Sequence, residues 1–420
     1  MMSSENNPVS DSQSKISIGS GHCMLEFQDI EHSGNYQCRL NLGLKASIEF
    51  IFEANTSIGM DGFSLYDPLA TYIDGIKQEL LTIKHVNFFQ AATLVPVKTP
   101  LQYVGDDDTK MRVIKARLFN FVDFWGGNGP TSYDLVLVWQ NLKIVISATK
   151  NRKEAFDRLK AGAVYEETHL VEITYEDNSE ILGIDATRII QTLNRFLTFV
   201  KGSWCQLVLP EGFNDNERVW FQLNAPREAH RNPSSWFPIH SAKEVQTLFE
   251  SFYSSHSKPD LIELWQTLIY WYQNANNNER GLDAGIIIAQ TAMERLSYFV
   301  IVQESGMLSE KGFKDLRASD KFRLLLSHYK IDLNVPASLK IITTNMTKCR
   351  WTDGPHTVTD IRNALVHPKV QNRDAIHDSM YDAWRLTMWY LEVCFLKFFD
   401  YKGSYTNRLT AQWLGETDEL

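Results

Sequence analysis

Cysteine is scarce and scattered: five in 420 residues, at Cys23, Cys38, Cys205, Cys349 and Cys394. An odd number at wide spacing, without a Cys-x-x-Cys pair, speaks against a disulfide framework and a thiolate zinc site. It fits reduced thiols in a cytosol. Long uncharged apolar runs are missing too. The two most apolar stretches are interrupted by Glu294 and Arg295 in one, and by Arg385, Glu392 and Lys397 in the other, so neither reads as a membrane span. The opening MMSSENNPVSDSQSK lacks the apolar core of a signal peptide. Gly126-Gly127-Asn128-Gly129-Pro130 is not followed by Lys-Ser/Thr, which removes a phosphate-binding loop and leaves a hairpin turn. His230 and His240 have no companion at ligand spacing, and no internal repeat is visible. The expectation is a cytoplasmic chain with no membrane partner, no metal and no cofactor.

What is present is globular: 44% of residues are hydrophobic and 12% aromatic, with 11 Trp and 23 Phe. At roughly 100–200 residues per domain, this length predicts two or three domains. The net charge of −9 excludes a chain that coats nucleic acid indiscriminately, so any RNA contact must be local. One stretch departs from the acidic average. Lys311 to Arg350 holds nine basic residues against three acidic ones. Within it Lys321, Arg323, Lys348 and Arg350 are candidate RNA contacts, with a solvated helix face as the plain alternative.

The chain changes character along its length. Residues 1–20 are polar and aperiodic, the pattern of a disordered tail. From Cys23, strand-like alternation recurs through MLEFQDI, YQCRLNLGL, ASIEFIFEA and further segments to WCQLVLP, with Asp106-Asp107-Asp108 as a solvated turn between strands. Two helices are expected inside this half, Leu69–Ile83 and Ala186–Val200, and an irregular connection at Pro210–His240. The β-rich region therefore spans about 21–240, as one domain or as two with a break near 150. From Pro259 the period becomes helical. Helices are expected at Asp260–Ala275, Leu282–Gln303, Asp320–Tyr329 and Pro336–Thr344, then through IRNALV with Thr359 or Asp360 as cap, and at Asp374–Phe399. This defines a helical bundle over 259–405, followed by a tail at 406–420. The predicted class is α+β multidomain.

One pattern carries chemistry. Arg362-Asn363-Ala364-Leu365-Val366-His367-Pro368 pairs a guanidinium with an imidazole. Pairs of an Arg followed by a His five or six residues later number three here, against roughly one by chance, so spacing alone decides nothing. Context separates them. Arg350–His356 crosses the turn Asp353-Gly354-Pro355. Arg323–His328 lies within a helix, where five residues place the two side chains about 140° apart. At Arg362–His367 the following Pro368 pushes His367 out of the α region, so the helix should break there and swing the ring back beside the guanidinium.

The run D-I-R-N-A-L-V-H-P resembles the R-N-x-x-V-H motif of the HEPN superfamily. A-G-I-I-I-A-Q-T-A-M-E-R-L (Ala284 to Leu296) is similar to the second helix of ApeA-like HEPN domains, with Glu294 at the acidic position. Leu391 to Tyr405 looks like that group's closing helix and its Tyr-x-Gly-x-Tyr exit. The resemblance covers about 145 residues. It implies an all-α HEPN bundle that acts as a metal-independent endoribonuclease, with the motifs of two protomers lining one cleft in a homodimer. Histidine, with an ordinary pKa of about 6.5, suits acid–base work at neutral pH, and His367 would move the proton of the 2′-hydroxyl or the leaving oxygen. Arg362 would hold the phosphate through its planar fork, Asn363 would orient the scissile group, and Glu294 would hold Arg362. The family also implies anti-phage defence of the abortive-infection type, with tRNA or other cellular RNA as substrate and a phage-derived trigger sensed by the β-rich half. Lys369 stands where some HEPN toxins carry a modified Tyr, so that regulation is not implied. The competing expectation is a non-catalytic HEPN protein that dimerises or binds RNA and carries a ligand-sensing β-rich domain.

Overall fold

Alternation of apolar and polar residues from Lys15 to Pro96 closes a barrel. Its strands are β1 (Lys15–Phe27), β2 (Ile30–Asn41), β3 (Ser47–Ala54), β4 (Leu69–Ile73), β5 (Ile76–Asn87) and β6 (Ala91–Pro96), in the order β1-β2-β3-β6-β5-β4. Antiparallel pairing of Cys23 with Ile73 joins β4 back to β1. Every second residue faces inward, so Tyr36, Cys38, Leu40, Ile48, Phe50, Phe52 and Leu94 form the core. The computed structural model describes residues 15–27, 30–55, 69–73, 76–87, 91–129, 132–256, 258–277, 279, 281–367 and 371–420.

Two segments of the barrel differ from expectation. Lys15–Ser20 is strand rather than tail, paired with β2 from Lys15↔Asn41 to Ser20↔Gln37; residues 1–14 lie outside the described residues. The helix expected at Leu69–Ile83 is a pair of strands in which Ile73 faces Ile76. The two positions between them, outside the described residues, are Asp-Gly in the sequence, a strong short-range hairpin signal. β-Branched Thr71, Ile73, Ile76 and Thr82 suit the pleated sheet.

Glu49 sits on β3 with 2% of its surface exposed and accepts from Arg39 Nη2 (2.9 Å), Asn41 Nδ2 (3.0 Å) and Lys84 Nζ (2.6 Å). Burial by itself would raise its pKa, but Lys84, Asn41 and Arg39 outweigh that and hold it at about 2. A carboxylate held below its unfolded value stabilises the fold above that value and loses the contribution as pH falls towards the folded one. The melting temperature of the wild type should therefore fall more steeply than that of Glu49→Gln between pH 4.5 and about 2. Parallel acid limbs for the two proteins would refute this.

The barrel belongs to the first of two compact units, which comprises Met1–Phe121, Ile146–Ile190 and Gln206–Arg231. The same unit holds antiparallel strands in the order β12-β9-β14-β15-β7. In chain order these are β7 (Leu101–Val104), the short β8 (Lys110–Met111), β9 (Val113–Phe119), then β12 (Glu167–Tyr175), the short β13 (Ile181–Leu182) paired with β8, β14 (Leu207–Asn214) and β15 (Glu217–Leu223). Between β9 and β12 come the hairpin β10 (Asp134–Trp139) and β11 (Leu142–Ala148) and the helix α1 (Arg152–Lys160); α2 (Gly183–Lys201) precedes β14. The Ala186–Val200 helix is thus present. The irregular connection at Pro210–His240 is instead a β14–β15 hairpin as far as Leu223, turning at Asp215 with φ 52°. Trp220 and Phe221, each 1% exposed, reward pairing over loop.

The second unit comprises Val122–Val145, Gln191–Cys205 and Asn232–Leu420. Its helices are α3 (Val245–Ser255), α4 (Pro259–Ala275), α5 (Leu282–Tyr298), α6 (Glu310–Lys314), α7 (Ala318–His328), α8 (Lys340–Cys349), α9 (Gly354–Val366), α10 (Arg373–Asp378) and α11 (Met380–Phe398). The 374–399 helix is split at Ser379, and the fourth helix begins at Lys340 rather than Pro336. Trp265 meets Phe395 and Phe399 edge-on or tilted, and Phe199 packs on Trp236, Tyr272 and Phe395. Leu282–Glu304, continuing α5 through a π-helical turn at Phe299–Glu304, is long and apolar enough to cross a membrane by length and composition. Its Gly285, Ile286, Ala289, Ala292, Met293 and Leu296 are buried among the other helices of this unit. The expected tail at 406–420 is packed structure. β16 (Ser404–Tyr405) pairs with β17 (Asp418–Glu419), and Arg408 is buried against Glu392, Nε to Oε2 at 2.8 Å. A charge that finds a buried partner is ordered by it; polarity alone had marked the segment as tail.

Candidate functional site

The Arg362–His367 run lies at the end of α9. That helix begins earlier than the sequence suggested. Asp353, in extended conformation, caps it by accepting from the His356 backbone N at 2.8 Å, and Pro355 occupies the first turn. Thr359, expected as the cap, is inside the helix and donates to the Pro355 carbonyl. A side chain at Gly354 would collide with the Tyr390 hydroxyl, so a glycine lets α9 start against α11. α9 ends at Val366. His367 has φ −124° and ψ 88°, outside the helical region, as expected for a residue that precedes proline. Pro368 and Lys369 lie outside the described residues.

Asn363 and His367 are exposed and Arg362 is half-buried. Arg362 Nη1 donates to Asn363 Oδ1 at 3.3 Å, and the His367 backbone N donates to the Asn363 carbonyl at 2.7 Å. Arg362 and His367 are not hydrogen-bonded to each other. The structure thus brings Arg362 and Asn363 into contact and frees the imidazole from the helix, at one exposed helix end.

Glu294 is elsewhere. Its carboxylate takes Lys321 Nζ at 2.6 Å, and that ammonium also lies 5.0 Å above the Phe313 ring. Gln290 of α5 donates to the Val358 carbonyl of α9 at 2.6 Å, while Arg323 joins the start of α9 to the helix that carries Lys321. α9 therefore runs antiparallel to α5. Arg362 lies one turn beyond Val358 in the opposite sense from Glu294, a separation of roughly 12 Å along the axes at 1.5 Å per residue. The Glu294–Arg362 contact is corrected to Glu294–Lys321.

The basic stretch divides the same way. Lys321, its side chain 13% exposed, is committed to Glu294. Arg323 forks onto Asp353 (Nε to Oδ2 2.6 Å, Nη2 to Oδ1 3.1 Å) and also reaches Asp320; the bond to Asp353 is the main cause of its raised pKa. Neither is free for a phosphate. Lys348 and Arg350 are exposed and have no carboxylate partner among the described residues. The Arg323–Asp353–Asp320 cluster was missed from sequence, although Asp-Gly-Pro was a legible helix start. Asp353→Ala removes both the cap and the fork. A loss of about 2 kcal/mol or more is expected from the cap range plus the stranded guanidinium. A denaturation midpoint equal to the wild type would contradict this.

Trp220 and Trp236 are 1% and 0% exposed and serve as core, not as platforms on which bases could stack. Asp106 Oδ1 accepts from the Asp108 backbone and Thr109 Oγ1, an Asx turn. Among the described residues no three His, Cys, Asp or Glu side chains are placed to hold a metal.

The fold is therefore α+β and multidomain, β-rich first and helical after, with a helix-end Arg-Asn-x-x-x-His motif in the helical part. Residues 258–419 match the family model described as the YopA C-terminal domain, and residues 106–234 match that of the YopA central domain. The chain is 27% identical over 323 residues to the SPbeta prophage-derived uncharacterized protein YopA of Bacillus subtilis (strain 168), over 72% of this chain and 70% of that protein. No solved structure matches.

Proposed function

We propose that this protein is a metal-independent endoribonuclease of the HEPN type, cytoplasmic and homodimeric, with His367 and Arg362 as its working pair. The observation that carries the reading is the end of α9: helix stops at Val366, and an exposed, non-helical His367 follows Arg362 and Asn363 at the same tip. In the proposed reaction His367 removes the 2′-hydroxyl proton, the 2′-oxygen attacks phosphorus, and the 5′-oxygen leaves with a proton from the second protomer's imidazole. Arg362 neutralises the phosphorane oxygens, and Asn363, which touches Arg362, fixes the angle of its guanidinium. The need for a 2′-hydroxyl restricts cleavage to RNA. Defence against phage, with a signal sensed by the β-rich unit, belongs to this proposal, and the prophage origin of a relative fits that setting. Incubation of the purified protein with total RNA in EDTA tests the chemistry: fragments ending in 2′,3′-cyclic phosphate are expected, and cleavage abolished by EDTA would reject it.

A second reading is a non-catalytic RNA-binding or dimerisation protein. It is favoured by one observation, that Arg362 and His367 are not hydrogen-bonded within a chain while Glu294 is engaged with Lys321. Intact RNA in a confirmed dimer would select it.

A further inference from the structure

We infer that the C-terminal end of α8 and the first turn of α10 form a phosphate-binding rim around the α9 tip, built from Lys348, Arg350 and Arg373, which seats single-stranded RNA. The inference rests on the proposed RNA chemistry at His367 and adds the elements that would hold the substrate there.

Three hydrogen bonds fix the placement. The Trp351 indole donates to Asp360 Oδ2 at 3.0 Å, which attaches the end of α8 to α9 two residues before Arg362. Asn372 Nδ2 donates to the Lys348 carbonyl at 3.2 Å, which attaches the same end of α8 to the residue before α10. Asn345 Nδ2 reaches Ser379 Oγ at 3.2 Å and keeps α8 and α10 side by side. The end of α8 is thus tied to both flanks of the segment 360–372 that carries the motif. Arg350 leaves α8 in the left-handed conformation, φ 58°, and Arg373 opens α10 after Asn372, which has φ 59°. Lys348, Arg350 and Arg373 are all exposed, and among the described residues none has a carboxylate partner. The nearest acid on α9, Asp360, is held by Trp351.

The contrast with Lys321 and Arg323 gives the inference its force. Lys321 and Arg323 are neutralised by Glu294, Asp353 and Asp320, whereas the cations tied to the motif are left open. Open cations beside an acid–base centre suit the backbone of a polyanion. An unpaired strand is the fitting form, because in-line attack by a 2′-oxygen needs a nucleotide free to leave A-form geometry.

The test uses the full-length His367→Ala protein, so that substrate survives, and a fluorescein-labelled single-stranded RNA read by anisotropy over a salt series. Lys348→Ala, Arg350→Ala and Arg373→Ala should each lower the slope of log affinity against log salt by about 0.7. The triple variant should bind at least ~10-fold more weakly at 0.1 M salt, with an unchanged circular dichroism spectrum. Lys311→Ala, which removes the same charge from an exposed site elsewhere, should leave the slope unaltered. Equal loss in that control, an unchanged slope in the triple variant, or no RNA binding by the parent protein would overturn the rim. Rim-dependent binding by a protein that never cleaves RNA would overturn the nuclease and leave the rim standing.

Discussion

Replacing His367 with alanine is expected to slow RNA cleavage about a thousandfold, the middle of the range for losing a positioned acid–base group. Arg362→Ala should cost some hundredfold or more, because transition-state charge loses its preorganised counter-charge. Arg362→Lys should not restore the rate, since an ammonium cannot present the planar fork. His367 is exposed and Arg362 half-buried at a helix end, and among the described residues neither holds a carboxylate. Their removal should therefore shift stability by no more than about 0.5 kcal/mol. Glu294→Gln is the informative companion. The resemblance to HEPN domains gives Glu294 to Arg362, whereas in this chain it pairs with Lys321, so cleavage should change little. Initial rates on a labelled RNA, with melting temperatures measured in parallel, check all four variants. Full activity in both alanine variants would end the nuclease reading.

The largest effect on stability is expected from Arg408→Ala. Arg408 and Glu392 have side chains 2% and 1% exposed, and the guanidinium meets the carboxylate at 2.5 Å. The Tyr272 hydroxyl donates to the same carboxylate at 2.7 Å; burial and the Glu392 charge both push its pKa far up, so it remains a donor. The Arg408 guanidinium also reaches Asn276 Oδ1 and the Ser234 carbonyl. Removing the cation leaves the Glu392 carboxyl group dry and answered only by a phenol. Breaking one side of such a pair costs about 3–5 kcal/mol. The joint replacement Arg408→Met with Glu392→Leu should recover most of that, because the desolvation penalty disappears with the charges. Urea denaturation followed by tryptophan fluorescence measures both. An Arg408→Ala midpoint within about 1 kcal/mol of the wild type would show that the buried charge finds water.

What the sequence displayed, and what it hid, follows from the range of the forces involved. Helical periodicity is local, so α2, α4 and α5 were legible from apolar spacing and from Pro259 at a helix start. The Leu69–Ile83 segment contains helix formers, yet its neighbours along the barrel supply hydrogen bonds that no local propensity reveals. The end of α9 at His367 could be read because proline constrains the residue just before it. The partners of charges could not be read. Glu294 meets Lys321 across 27 residues, Arg323 meets Asp353 across 30, and Glu392 meets Arg408 through a segment whose composition alone suggested a tail. Such pairings are decided by helix packing, and the first two changed which cations of the basic stretch stay available to a ligand.

The helical unit also draws on chain from well before Pro259. Phe199 and Trp236, which pack on Tyr272, Phe395 and Tyr401, arrive from separate stretches upstream. A gene segment beginning at codon 259 would encode the motif without the aromatic lining that Tyr272 and Phe395 need, and its product should be sticky and poorly soluble. The helices are therefore not a cassette that recombination can lift out with a single cut. Any natural reshuffling that exchanges this half of the protein has to carry three pieces of the coding sequence together.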